Sequence, residues 1–118
     1  MHATVRNLNK KNSFAHLEKI ASESAGSLQL FQANLLEPHS FDQAMQGCEI
    51  VLHMASPFVV TNYKDAIKDI IEPAILGTEN VLNSVNNTES VKRVVVTSSI
   101  ASTYGDAIDI KQTAHNEF

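Results

Sequence analysis

An α/β fold, with a parallel sheet flanked by helices, is the class this 118-residue sequence predicts. Three observations lead there. Short runs of strand formers alternate with helical stretches along the whole chain. The two clearest strands, Ile50 to His53 and Val94 to Thr97, are compact apolar runs rather than alternating ones, as in strands buried on both faces of a parallel sheet. Both run into small or polar residues, the first into Met54, Ala55, Ser56 and Pro57, the second into Ser98 and Ser99. In open α/β sheets ligands sit beyond the carboxyl ends of the strands. The hydroxyls of Thr97, Ser98 and Ser99 therefore stand where such a fold does its chemistry.

His2 to Val5 is short and rich in strand formers, the end of a first strand, and a polar loop from Arg6 to Asn12 follows. Ser13 can cap a helix over about 13–24, with Phe14, Leu17, Ile20 and Ala21 on one face and Gly26 as its stop. Leu28 to Phe31 is the second strand. Ser40 and Gln43 have the spacing of a capping box, which predicts a short helix to about Gln46 closed by Gly47. Ile50 to His53 is the third strand. The longest helix runs from about Lys64 to Asn87. Its apolar stripe includes Ile67, Ile70, Ile71, Ala74, Ile75, Val81 and Val85 at three- and four-residue steps. Pro73 removes a backbone donor and should bend it, and Gly77 should allow close packing on the sheet. Val94 to Thr97 is the fourth strand. Residues 100–118 read as loop with at most a short strand or turn. Crossovers between the parallel strands should be right-handed.

The bulk numbers narrow the function classes. The chain is long enough for one domain. With 43% hydrophobic and 19% charged residues it has an ordinary globular composition. A net charge of −4 argues against a nucleic-acid or membrane-surface role, since both need a basic excess. Cys48 is the sole cysteine, so no internal disulfide is possible, and a reducing cytoplasmic setting is expected. It reads as a small buried residue rather than a reactive thiol. No apolar segment approaches the length of a membrane span. The five histidines (2, 16, 39, 53 and 115) have no metal-ligand spacing, so no metal site is expected.

Several residues could carry chemistry. Arg6 directly follows the first strand. In dinucleotide-binding folds the strand end that meets the adenosine ribose carries an acid for a 2′-hydroxyl or an arginine for a 2′-phosphate. With Lys10 and Lys11 nearby, Arg6 suits NADPH over NADH, because a dianionic phosphate needs charge-assisted donors. By itself the loop also fits a solvated basic turn. Ser99 could hydrogen-bond a substrate carbonyl, although a serine after a strand is commonly a satisfied loop hydroxyl. His53 fits a base or a structural histidine. Met54, Ala55 and Pro57 fit a wall for a flat ring.

Taken together, these residues resemble the extended short-chain dehydrogenase/reductase family, in the branch of dihydroflavonol, cinnamoyl-CoA and methylglyoxal (aldehyde) reductases. The likeness is carried by Ala3 to Arg6, Ala33 to Leu35, Ser40 to Ala44, Gly47-Cys48, Val51 to Pro57, Glu72-Pro73, Gly77 to Asn80 and Val91 to Ser99. It implies a partial Rossmann fold over residues 1–118, with NADPH as cofactor. Arg6 would hold the 2′-phosphate with help from Lys11. Asn34 and Leu35 would border the adenine, at a place where the family usually has aspartate. His53, Ala55 and Pro57 would line the nicotinamide ribose, Thr97 would lie near the cofactor, and Ser99 would be the catalytic serine. The parent reaction would be hydride transfer to a small aldehyde or ketone.

Two parts of the family pattern are absent from these residues: the opening strand with its Gly-x-x-Gly-x-x-Gly turn, and the Tyr-x-x-x-Lys pair. The glycines stand at 26, 47, 77 and 105, and the tyrosines at 63 and 104, each followed four residues on by isoleucine. The chain thus resembles an internal segment of a longer reductase, expected to be inactive alone and to bind NADPH more weakly than about millimolar, if at all. In the 3-2-1-4-5 strand order, omitting the central strand leaves two half-sheets with open edges and uncovered apolar surface. Marginal stability or self-association through those edges is the expectation, unless the two edges pair directly or a partner fills the gap. Two other readings stay open: a non-catalytic binding module derived from this fold, and a relative with another reaction, such as a nucleotide-sugar epimerase or a 3β-hydroxysteroid dehydrogenase.

Overall fold

The computed structural model describes residues 1–57 and 64–99. The loop expected over 100–118 lies outside the described residues. The elements follow the predicted alternation: β1 (His2–Val5), α1 (Ala15–Ser22), β2 (Gln29–Gln32), α2 (Asp42–Met45), β3 (Ile50–His53), α3 (Glu72–Asn86) and β4 (Arg93–Val96). A 3₁₀ turn at Lys11–Ser13 precedes α1, and a π-helical segment at Ile67–Ile71 leads into α3.

Among the described residues the strands form two parallel pairs, β1 with β2 and β3 with β4. Nothing there bridges β1 to β3, which is the split expected when the central strand of the order is missing. Gln29 N–H donates to Met1 O at 2.9 Å and Ala33 N–H to Val5 O at 3.0 Å, so odd-numbered residues of β1 face β2. Backbone groups of a strand alternate in direction. His2 and Thr4 therefore present theirs on the open edge of β1, and Ile50 and Leu52 theirs on that of β3.

The packing among the described residues is one-sided. Ala33, Phe41, Met45 and Val81 form the buried core, with Leu35, Val51, Val85 and Val91 packed on it. Val51 and His53 face this core. Ile50 and Leu52, on the opposite face of β3, remain 58% and 60% exposed, and Val95 beside Leu52 is exposed as well. One face of this half-sheet is covered and the other is bare.

Four local expectations are corrected. Ser13 does not cap α1. It lies inside the 3₁₀ turn, and burial of the Phe14 ring sets the helix boundary instead. Gly26 is not the stop either. The Oγ atoms of Ser22 and Ser24 donate to Lys19 O and Ile20 O, each at 2.7 Å, so the last carbonyls are satisfied without a left-handed residue. Ser40 does not cap α2, for a reason that belongs to the site below. The long helix is not a single bent α-helix. Its first turns widen to π geometry just before Pro73, the residue that cannot donate to the preceding turn. Gly47 does close α2 as expected, with φ of 73° that a side chain would disfavour, and Cys48 N–H returns to Met45 O at 2.9 Å.

Candidate functional site

A cavity of about 440 Å³ opens at the carboxyl ends of β1, β2 and β3. This is within the size range of small-molecule sites, roughly 300–1,000 Å³. Arg6 contributes from β1, Asn34, Leu35 and Leu36 from β2, and Ala55 and Pro57 from β3. Five of the sequence-predicted site residues are thus brought together: Arg6, Asn34, Leu35, Ala55 and Pro57. The cavity combines an always-charged guanidinium, apolar walls and one amide head group. That donor set is chemically compatible with a phosphorylated ligand carrying a flat ring.

The β2 wall is held by contacts that join distant parts of the chain. Ser40 Oγ donates to Asn34 O at 2.7 Å and accepts Asn34 N–H at 3.2 Å. Its hydroxyl is therefore committed to the Asn34 loop and not to the first turn of α2, where Phe41 takes the cap position without a side-chain bond. Leu35 is clamped from α3. Asn80 Nδ2 donates to Leu35 O at 2.8 Å, and a Cβ on Gly77 would stand 3.1 Å from Leu35 Cβ. Gly77 and Asn80 are three residues apart, so one helical face both makes room for Leu35 and grips it. Gly77 thus serves close packing as expected, but against this loop rather than the sheet. Phe41 and Pro73 also line the cavity. The sequence assigned Pro73 a bend and Phe41 no role of its own; only the folded chain brings both to this wall.

The other predicted residues lie elsewhere. His53 is buried and does not line the cavity, its Nε2 3.5 Å from Thr78 Oγ1, the long limit of a hydrogen bond. Burial without a close partner pushes its pKa below the ordinary histidine value and favours the neutral ring. Its backbone carbonyl accepts Thr97 N–H at 2.9 Å, which continues the β3–β4 pairing. Thr97 and Ser99 follow β4 on the exposed side and do not line the cavity. Lys11 is exposed in the 3₁₀ turn, also outside the lining. Cys48 is half-buried. Its Sγ lies 3.4 Å from His2 Nδ1, which contacts Ala44 O at 2.8 Å. This is packing geometry of the kind expected for a small buried residue. Among the described residues no cluster of three metal-ligating side chains occurs, and no helix is long and apolar enough to cross a membrane.

Comparison with known proteins agrees with this architecture. The profile of the NAD dependent epimerase/dehydratase family matches residues 2–118. The chain is 50% identical over 99 residues to a cinnamoyl-CoA reductase of Medicago truncatula, covering 84% of this chain and 30% of that protein. It is 42% identical over 103 residues to an anthocyanidin reductase of Arabidopsis thaliana, covering 86% of this chain and 29% of that protein. Among solved structures, Gre2 from Candida albicans in complex with NADPH superposes with a TM-score of 0.66 at 33% identity. That match covers 83% of this chain and 29% of the other. The chain therefore spans somewhat under a third of the length of the relatives it matches. A Rossmann-type α/β architecture, a profile match along nearly all its residues and reductase relatives together place the chain in the NAD dependent epimerase/dehydratase family, the extended short-chain group, in the branch that resembles dihydroflavonol and cinnamoyl-CoA reductases.

Proposed function

We propose that this chain carries the 2′-phosphoadenosine half of an NADPH site in a carbonyl reductase acting on a small aldehyde or ketone. The observation that carries the reading is the single cavity in which Arg6 faces Asn34–Leu35 and Ala55–Pro57. In this reading Arg6 binds the 2′-phosphate through charge-assisted hydrogen bonds, and Lys11 adds long-range attraction. Leu35 and Asn34 take the base, and Ala55 and Pro57 the nicotinamide ribose, with His53 at the end of the same strand. Thr97 lies along the cofactor, and Ser99 orients the substrate carbonyl for hydride attack. Residues 1–118 count as a partial nucleotide-binding domain, in a cytoplasmic setting that suits one unpaired cysteine. With no Gly-x-x-Gly-x-x-Gly turn or Tyr-x-x-x-Lys pair in these residues, the chain alone is inactive and binds the adenosine half with a dissociation constant of several millimolar, about −3 to −4 kcal/mol.

The test is an NMR titration with 2′-phosphoadenosine and with adenosine, on this chain and on Arg6→Gln. Saturable shifts at Arg6 and Asn34 with 2′-phosphoadenosine, weakened about tenfold in Arg6→Gln and absent with adenosine, support the reading. Equal responses to adenosine and 2′-phosphoadenosine would sink it.

The open edges of β1 and β3 and the bare Ile50–Leu52–Val95 face favour a second reading, a non-catalytic association module. Here the chain pairs through those edges with another copy of itself. Sedimentation at rising concentration separates the two, since the nucleotide-site reading by itself requires no self-association.

A further inference from the structure

Independently of any nucleotide, we infer that the slot between β1 and β3 binds a peptide: one short apolar segment, extended and running parallel to both strands. β1 and β3 are neighbours at both ends. At the amino ends Cys48, just before β3, has its Sγ 3.4 Å from Nδ1 of His2 on β1. At the carboxyl ends Thr4 to Arg6 share one cavity lining with Ala55 to Pro57. The two strands therefore run the same way, side by side. Their hydrogen-bonded partners lie on the outer sides, β2 beyond β1 and β4 beyond β3.

Backbone polarity sets what fits between them. The N–H and C=O groups of His2 and Thr4 point away from β2, and those of Ile50 and Leu52 point away from β4. None of these groups has a hydrogen-bond partner among the described residues. The edge of a second copy could pair with one of the two strands, but it would leave the other still facing the slot. A single extended segment satisfies both, because its own backbone groups alternate left and right. Since both edges run the same way, a segment parallel to one is parallel to the other. The neighbouring side chains are apolar on both faces. Ile50 and Leu52, 58% and 60% exposed, stand on one face of β3, and the half-buried Val51 stands on the other. A run of consecutive β-branched residues suits such a lining, whereas a segment with alternate charges would set them against one apolar face.

The probe is a short capped peptide of consecutive valines flanked by lysines, added to the full chain at about 2 mM, above the dissociation constant of a millimolar complex. Amide hydrogen exchange followed by NMR should slow at least about tenfold at both Thr4 and Leu52. Two further peptides carry N-methyl groups at alternate residues, one on the odd set and one on the even set. Each set faces a different edge, so either modification should abolish the slowing at both amides. A spin label at the amino end of the unmodified peptide should broaden the signals of His2 and Glu49 and spare those of Arg6 and Met54. Slowing at only one of the two amides, or sensitivity to only one N-methyl set, means addition to a single edge and overturns the inference. Broadening at Arg6 and Met54 instead overturns the parallel arrangement and with it the inference. Slow exchange that rises with protein concentration and ignores the peptide assigns the edges to a second copy and overturns it too, as does unchanged exchange at both amides.

Discussion

Replacing Ser84 by alanine should cost this chain about 1.5–2 kcal/mol, far more than a surface serine would. Ser84 is 1% exposed on α3, and its hydroxyl donates to Asp42 Oδ1 at the start of α2. The bond ties two helices 42 residues apart in sequence. A hydrogen bond to a charged group contributes about 1.5–3 kcal/mol. The lower half of that range applies here. The Asp42 side chain is 35% exposed and its other oxygen lies 3.1 Å from His39 Nδ1, so the orphaned oxygen can rehydrate. The methyl left by Ser84→Ala fills most of the space, which makes any cavity contribution small. With a urea m-value of about 1–1.5 kcal/mol/M for a small domain, the midpoint should fall by roughly 1–2 M. Urea titrations followed by circular dichroism at 222 nm, on Ser84→Ala, Asp42→Ala and the double variant, measure both the loss and the coupling. A midpoint change under about 0.3 M, or additive single losses, would refute the reasoning and reduce the contact to a packing coincidence.

Two other perturbations have defined signs. The folded-state pKa of His53 lies below its unfolded value of about 6.5, so on acidification the unfolded chain takes up the proton first. The stability attached to the neutral ring is complete above about pH 6.5 and is lost as the pH falls toward the folded pKa. Urea midpoints at pH 7.5 and 5.5 should therefore differ in the unmodified chain and differ less in His53→Gln; an unchanged difference would exclude His53 as the cause. Leu52→Lys places a charge on the bare face of β3 and should shift the chain toward monomer in sedimentation velocity without lowering its unfolding free energy by more than about 0.5 kcal/mol, because the side chain is already 60% exposed. Unchanged association in this variant would point away from the β3 face.

The amino-acid order by itself determined all four strands to within a residue or so, the position of α3 and the family. These signals are local: β-branched runs, a 3.6-residue apolar period, and strand ends rich in small and polar side chains. It also led to the expectation of a split sheet, since the two strand pairs lose their bridge when the centre of the strand order is absent from these residues, and the folded chain decided against direct pairing across the gap. The folded chain decided what depends on competition between distant partners. Ser40 has the spacing of a helix cap, yet its hydroxyl bonds Asn34, a choice visible only once β2 and α2 are adjacent. Gly77 and Asn80 are plain helix residues until Leu35 is found between them. Arg6, Asn34 and Pro57 lie up to 51 positions apart (57 − 6), and only the parallel arrangement of the strands brings them to one cavity. Local propensity acts over a few residues, whereas a site is made by tertiary contacts that close long loops, and no nearby residue records which contact wins.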